Sequence, residues 1–388
     1  MEPMKNIHII VAAGEWETDH LRYRRHRFAE FLSHQPDTQE IIWVCPTPRK
    51  VDTNFQKLSN NITQYLIQDI LPHKLFRFGR YIDSFYKAKM RQLVLYLEQY
   101  HRNYQIYLWY TFPGFPLLSD IFSWNKVVYD CSDLWTAPIS GKSSLTSVFR
   151  QKLISKAENR IIQKADTVYC TSDYLRSRIV EKRQIHENVY TLENGVEFEL
   201  FASEQDKMEK ILPADFDGTV LGYIGGIKPK LDFELIQKVA RKRRDWLILF
   251  VGPDGTNSDS EFKQVIKEEN VVWIDSVPPT DVPKYMNLID IGIMPYKPSQ
   301  YNQAVFPLKL FEFLASGKPV IGVHLPSTKK YTQKFVYHLL EKDNPEEFIQ
   351  VCEQLEKNKR QETNVRLRKQ LAKTKDWNSV FENMICSM

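Results

Sequence analysis

The chain has 388 residues, 43% hydrophobic and 26% charged, with a formal net charge of +5; this balance excludes a disordered chain and, at roughly 150 residues per domain, predicts two domains. The aromatic share of 13% predicts large buried cores, and no apolar run approaches the ~18 residues that a membrane-spanning helix needs. The scattered cysteines Cys45, Cys131, Cys170, Cys352 and Cys386 form no Cys-x-x-Cys pair, which argues against a disulfide framework or zinc site and for a reducing cytoplasm.

The first predicted strand, Ile7–Ala12, follows a polar lead without the core or cleavage pattern of a signal peptide. A loop and helix come next, in which Leu21, Phe28 and Leu32 line a core-facing stripe. Arg22, Arg24 and Arg25 fall in its first two turns, where cations oppose the helix dipole and Glu17 and Asp19 only partly offset them. A bound anion would explain them; a solvated helix face is the alternative. After a strand at Ile41–Cys45, the stretch from Pro72 to Tyr104 carries Lys74, Arg77, Arg80, Lys87, Lys89, Arg91 and Arg102 against Asp83 and Glu98, interleaved with aromatics. A basic, aromatic helix suits an anionic membrane surface, and equally a partly buried helix with a solvated basic face.

Strands are predicted at Ile106–Tyr110, Lys126–Tyr129, Thr167–Cys170 and Val189–Leu192. The strand at Val127–Tyr129 runs into Asp130 and Asp133. At the carboxyl end of a strand, Asp133 is placed to act as a general base, with a helix N-cap as the structural alternative. The stretch from Phe201 to Gly218 is polar, contains Pro213, and breaks the pattern near the midpoint. Strands resume at Thr219–Ile224, Trp246–Val251, Val271–Ile274, Ile289–Met294 and Pro319–Val323. Apolar strands alternating with helices predict an α/β protein of two doubly wound, Rossmann-like domains with parallel sheets facing across a cleft. We divide the chain at 1–203, 204–370 and a C-terminal helix at 371–388 that packs back on the first domain.

The strongest local motif is Phe306-Pro-Leu-Lys-Leu-Phe-Glu-Phe-Leu-Ala-Ser-Gly-Lys-Pro-Val-Ile321. Pro307 suits the first helical position, Leu310, Phe313 and Leu314 form an apolar stripe, and Gly317 with Pro319 ends the helix. Lys309 and Glu312 share one face. A lysine in the first turn is unfavourable unless an anion sits there, which points to a phosphate or diphosphate; a surface ion pair is the alternative. Other motifs fail. Asp215-Phe-Asp217 precedes a strand, no G-x-G-x-x-G follows one, there is no Walker lysine, and the histidines show no ligand spacing. No metal and no nucleic acid is expected.

This segment resembles the nucleotide-sugar site of GT-B fold glycosyltransferases. Glu193-Asn-Gly-Val-Glu-Phe-Glu-Leu-Phe201, Gly222-Tyr-Ile-Gly-Gly226, Phe250-Val-Gly-Pro253 and Asp290-Ile-Gly-Ile-Met-Pro-Tyr296 resemble, in order, motifs of the GT4-like group. The sequence departs from the group at two points: the first glutamate of the usual Glu-x7-Glu pair would be residue 304, which is Ala304, and the usual Arg…Lys pair is replaced by Lys228 and Lys230. Asp-Cys-Ser-Asp133 resembles the segment that supplies the base in inverting bacterial glucuronosyltransferases. With Trp16 and Arg22-Tyr-Arg-Arg-His26, nearly the whole chain resembles the TuaH-type glycosyltransferases of teichuronic acid synthesis in Gram-positive bacteria.

The resemblance implies an inverting, metal-independent transferase without a cofactor. It would move glucuronic acid from a UDP-sugar to a lipid-linked or polysaccharide acceptor. Gly225, Gly226, Lys228, Tyr296, Lys309 and Glu312 would bind the donor, Gly14, Glu15, Arg22 and Arg25 the acceptor, and Asp133 would be the base. The protein would be cytoplasmic, held at the inner face of the plasma membrane. The alternatives are a nucleotide-sugar 2-epimerase and a catalytically silent partner subunit.

Overall fold

The structure, a computed structural model, describes residues 4–17, 22–51, 53–69, 74–141, 145–203, 211, 216–256 and 260–388, the side chains at 74–77, 145–147 and 260 excepted. The chain divides into two compact units. Unit 1 comprises Met1–Pro138, Ser143–Glu193 and Phe381–Met388; unit 2 comprises Ile139–Lys142 and Asn194–Val380.

Unit 1 is built on a sheet of strands β1 (Asn6–Val11), β2 (Thr38–Thr47), β3 (Phe55–Lys57), β4 (Ile62–Gln68), β5 (Gln105–Tyr110), β6 (Lys126–Cys131), β7 (Thr167–Cys170) and β8 (Val189–Thr191). Their order is β3-β4-β2-β1-β5-β6-β7-β8, and only the β3–β4 pairing is antiparallel. Helices cover a parallel sheet on both faces, so its strands read as continuous apolar runs; Ile7, Ile9, Ile10, Val11 and Trp43, Val44 are fully buried. Unit 2 has strands β9 (Val220–Ile224), β10 (Leu247–Val251), β11 (Val271–Ile274), β12 (Ile291–Pro295), β13 (Val320–Val323) and β14 (Tyr337–Leu340), in the order β11-β10-β9-β12-β13-β14. All of its pairings are parallel. The order reverses between β9 and β12, the switch point where open α/β sheets hold ligands at the strands' carboxyl ends.

Strands β3, β4 and β14 are additions to the pattern read from the sequence, and β2 and β6 run longer than expected. The basic segment is a correction. It is not one helix but short 3-10 turns at Lys74–Tyr81, Asp83–Phe85 and Lys87–Met90, followed by a helix at Arg91–Glu98. Part of it is buried: Tyr86, Met90, Leu93 and Leu97 are covered while Phe85 stays exposed, and the Tyr65 hydroxyl bonds the Lys89 carbonyl at 2.5 Å. Arg80 turns inward to Asp69 at 2.6 Å, and the Lys89 ammonium bonds the Gln68 carbonyl at 2.6 Å.

The C-terminal helix Trp377–Cys386 brings Phe381 against Phe28 and Phe31, and the Met384 carbonyl accepts the Tyr169 hydroxyl at 2.7 Å. Among the described residues no helix is long and apolar enough to cross a membrane.

Candidate donor and acceptor sites

The predicted donor residues of unit 2 gather at the carboxyl ends of β9 and β12. The chain leaves β9 through Gly225, whose φ of +122° only glycine adopts without strain. The position is also crowded: a Cβ there would lie 2.3 Å from both Cε and Nζ of Lys309. Gly252, at the end of β10, lies so close that its Cβ would fall 2.4 Å from the Gly225 carbonyl oxygen. Two neighbouring strands thus present bare backbone beside an ammonium.

Lys309 opens the helix Lys309–Ala315. Pro307 does not: it lies two positions before the first helical residue, with Leu308 as N-cap. Leu310, Phe311, Phe313 and Leu314 bury the other side and fix the rotation that sends Lys309 toward Gly225. The helix ends in a Schellman closure, with the Gly317 N–H on the Leu314 carbonyl at 3.0 Å and the Lys318 N–H on the Phe313 carbonyl at 2.9 Å. Burial pushes the Lys309 pKa down; Tyr296 and Glu312 counter this, and Lys230 and Lys228 add to it. Its Nζ stands 5.5 Å from the Tyr223 ring centre. The Lys228 stem passes Gly255, whose Cβ would lie 3.4 Å from Lys228 Cγ. Tyr223 and Tyr296 are buried beneath this group, and burial, Tyr296 and Glu312 push the Tyr223 phenol well up. Cations, bare backbone and one carboxylate on a parallel-sheet edge can hold a diphosphate and hydrogen-bond hydroxyls. Farther along the edge, a pocket of about 460 Å³ beyond β13 and β14 is lined by Ser299, Gln300, His324, Lys329 and Glu341, and by none of the predicted donor residues.

In unit 1 the predicted acceptor residues follow β1, and the predicted base follows β6, all at the carboxyl edge of one parallel sheet. Side chains hold the β1 loop: Trp43 Nε1 donates to the Gly14 carbonyl at 3.0 Å, and the Thr47 hydroxyl to Glu15 at 2.7 Å. Arg49 pairs with Glu15 on its other oxygen. Trp16 packs edge-on to Trp43 and His26, and Arg22 lies over its ring at 5.5 Å. Arg22 also reaches Glu17 at 3.4 Å and precedes the helix, which begins at Arg24. Arg25 lies 4.4 Å over Tyr23. Leu21 lies outside the described residues.

Arg24 corrects the sequence reading. It is buried with Asp130, its Nε reaching both carboxylate oxygens at 2.9 and 3.1 Å. Arg24 also donates to the Glu193 carbonyl at 2.9 Å. The anion that balances this arginine is therefore internal. A charge in the apolar run Val127–Cys131 was itself the signal, because a buried aspartate requires a cation partner. Asp133 lies two residues past the end of β6 and is half-buried. Its loop is tied down by the Thr171 hydroxyl on the Ser132 carbonyl at 3.1 Å and by the Cys131 thiol on the Asp133 carbonyl at 3.7 Å.

Asp217 lies ahead of β9, and Asp215 lies outside the described residues. Among the described residues no cluster of three or more His, Cys, Asp or Glu is arranged to hold a metal ion.

A profile of the family described as "Glycosyl transferases group 1" matches residues 218–358. Over 381 residues, 98% of this chain and 96% of its own length, a protein of Bacillus subtilis strain 168 is 52% identical; it is provisionally named teichuronic acid biosynthesis glycosyltransferase TuaH. The fold is shared with sucrose-phosphate synthase of Thermosynechococcus elongatus (TM-score 0.71, 15% identity, 98% of this chain and 97% of that one). It is also shared with Anabaena HepE in complex with UDP and glucose (TM-score 0.68, 14% identity, 99% and 98%).

Proposed function

The chain belongs to the group 1, GT4-like glycosyltransferases of GT-B fold, and on that premise we propose that it transfers glucuronic acid from its UDP-sugar to a lipid-linked acceptor of the teichuronic acid type. The observation that carries the reading is the group at Gly225, Lys228, Lys309 and Glu312, together with 52% identity to a protein named for teichuronic acid biosynthesis.

In this reading the diphosphate lies against the backbone at Gly225 and Gly226. Lys309 and Lys228 offset the charge that grows on UDP as it leaves, so no metal is required. Glu312 accepts hydrogen bonds from ribose or sugar hydroxyls, and the buried Tyr296 supports the lysines from below. In unit 1, Arg22 and Arg25 bind the anionic acceptor beside Gly14 and Glu15. Asp133 removes the proton from the attacking hydroxyl as the new bond forms, which inverts the anomeric carbon. Association with the anionic inner face of the plasma membrane belongs to the same proposal. Exposed Phe85 and Phe149, flanked by exposed Lys87 and Lys152, support it.

The test is transfer of labelled glucuronic acid from UDP-glucuronate to a prenyl-diphosphate-linked saccharide, with release of equimolar UDP. Release of UDP without acceptor, accompanied by an epimerised free sugar, would instead support the epimerase; a protein that binds UDP and forms no product would be the silent subunit.

A further inference from the structure

We propose that the pocket beyond β13 and β14 is a subsite for the acceptor, one that holds an uncharged sugar unit behind the sugar that attacks; the assignment rests on the transferase reading of the chain. The pocket measures about 460 Å³, the scale of a small-ligand site. It stands at the carboxyl ends of the two strands, where His324 follows β13 and Leu340 closes β14. The predicted donor group lies on the same edge, at β9 and β12, two strand spacings or about 10 Å away. The sugar of a bound nucleotide keeps its anomeric carbon at the diphosphate, so this distance leaves room for the transferred sugar first and for a unit of the acceptor next.

The chain joins the pocket to the donor group on both sides. Tyr296 follows β12, then Ser299, Gln300 and Gln303 line the pocket, and Lys309 opens the next helix. This connection is fastened down. The buried side-chain amide of Asn302 bonds the Lys230 carbonyl at 3.1 Å and the Lys297 carbonyl at 2.7 Å, and the Ser327 hydroxyl donates to the Val305 carbonyl. The stretch Ile139–Lys142, which belongs to unit 2 and continues the loop that carries Asp133, packs on the same wall: a Cβ on Gly141 would lie 3.3 Å from Ser299 Cβ.

The lining suits a neutral sugar. Leu325 and Leu340 are buried and, with Pro298 and Pro326, offer an apolar surface to the C–H face of a pyranose. Ser299 Oγ accepts the Asn302 N–H at 3.1 Å and keeps its own proton to donate. Gln300 and Gln303 each bring an amide that both donates and accepts, as hydroxyls do. Lys329 and Glu341, also in the lining, pair with each other at 2.9 Å. His324 is held at φ +54°, its N–H on the Leu340 carbonyl at 3.1 Å. Its Nε2 is buried 3.7 Å from Asp343 and makes no hydrogen bond among the described residues. A left-handed histidine with an unsatisfied nitrogen is costly, and such costs persist where a ligand binds.

The experiment measures transfer from UDP-glucuronate to prenyl-diphosphate-linked acceptors that end in the same sugar and differ in the unit behind it: none, a neutral hexose or a uronate. The proteins are the wild type, Gln303→Trp, which fills the pocket from its rim, and the double variant Gln300→Ala/Gln303→Ala, with a melting curve for each. In the wild type the neutral unit should lower KM by about tenfold at unchanged kcat, the scale of one or two hydrogen bonds, and the uronate should not. Gln303→Trp should remove that gain and the double variant most of it, both leaving KM for the single-sugar acceptor within about twofold. A gain that survives in folded Gln303→Trp overturns the pocket as the subsite and leaves the transferase reading intact. A wild type indifferent to the added unit overturns the subsite itself, and equal gains from hexose and uronate overturn the selection for an uncharged sugar. A KM that instead follows prenyl length, and loses that dependence in Gln303→Trp, would make the occupant the lipid. No transfer to any acceptor overturns the transferase reading and the subsite with it.

Discussion

Gly225→Ala adds a single methyl group, and the structure indicates where it goes. The new Cβ would sit 2.3 Å from Lys309 Cε and Nζ, well inside van der Waals contact. A lysine tip is flexible, so the ammonium moves rather than the sheet. The backbone cost comes from φ +122°, a conformation that costs a non-glycine residue about 1–3 kcal/mol. That loss should appear as a lowered melting temperature with the fold retained. Displacing Lys309 from the diphosphate removes a charged hydrogen bond worth roughly 1.5–3 kcal/mol, about 10- to 100-fold in UDP affinity. Calorimetry with UDP on the wild type, Gly225→Ala, Lys309→Ala and the double variant closes a cycle. If the methyl acts by moving Lys309, Gly225→Ala should weaken UDP little further once Lys309 is gone. Equal weakening in both backgrounds, or unchanged UDP affinity in Gly225→Ala alone, would refute the reasoning.

Asp133→Asn should lower kcat by ~10²–10⁴-fold while UDP binding stays unchanged, and the wild-type product should carry the anomeric configuration opposite to the donor; retention of configuration, read by proton coupling, refutes the base. Arg24→Met leaves Asp130 buried without its cation and should destabilise unit 1 by about 3–5 kcal/mol in urea unfolding, whereas a cost below about 1 kcal/mol would mean water replaces the arginine. Burial holds His8 and His26 near a pKa of about 3 against 6.5 in the unfolded chain, so the unfolded state takes up protons first. The stability this contributes is complete above about pH 6.5 and is lost as pH falls toward 3, by about 1.4 kcal/mol per pH unit for each histidine, and His8→Gln should flatten the dependence. EDTA should leave transfer unchanged; activity lost on chelation and restored by Mn²⁺ or Mg²⁺ would require a metal that the lysines do not replace.

The sequence revealed the strands whose two faces are covered, because those are unbroken apolar runs. Thr167–Cys170 was located to the residue, as was the edge strand Val271–Ile274, an apolar run whose Trp273 is exposed. It did not reveal β4, where Thr63, Gln64 and Gln68 interrupt the run, or β14, four residues long with His338 inside it. The aromatic and basic segment did not form the single helix expected of it, because composition carries no direction: the same Tyr86, Arg80 and Lys89 that suit a bilayer interface also suit packing within the domain. At the site, the neighbours Lys309 and Glu312 were legible from helical spacing. Lys309 against Gly225 was not, because it joins residues 84 positions apart, and neither was Arg24 with Asp130, which needs β1 and β6 in one sheet.

The helix Trp377–Cys386 changes allegiance partway along, its first residues in unit 2 and Phe381 onward in unit 1. During synthesis, the segment that packs on Phe28 and caps the Tyr169 hydroxyl leaves the ribosome only after every strand of unit 2. Domains generally fold in the order they emerge, but unit 1 must wait for its last piece with that apolar face open. A fragment ending at Glu193 would carry the whole first sheet and still expose the ring of Phe28, and we expect it to be captured by chaperones or to aggregate unless a peptide spanning Trp377–Met388 is supplied in trans.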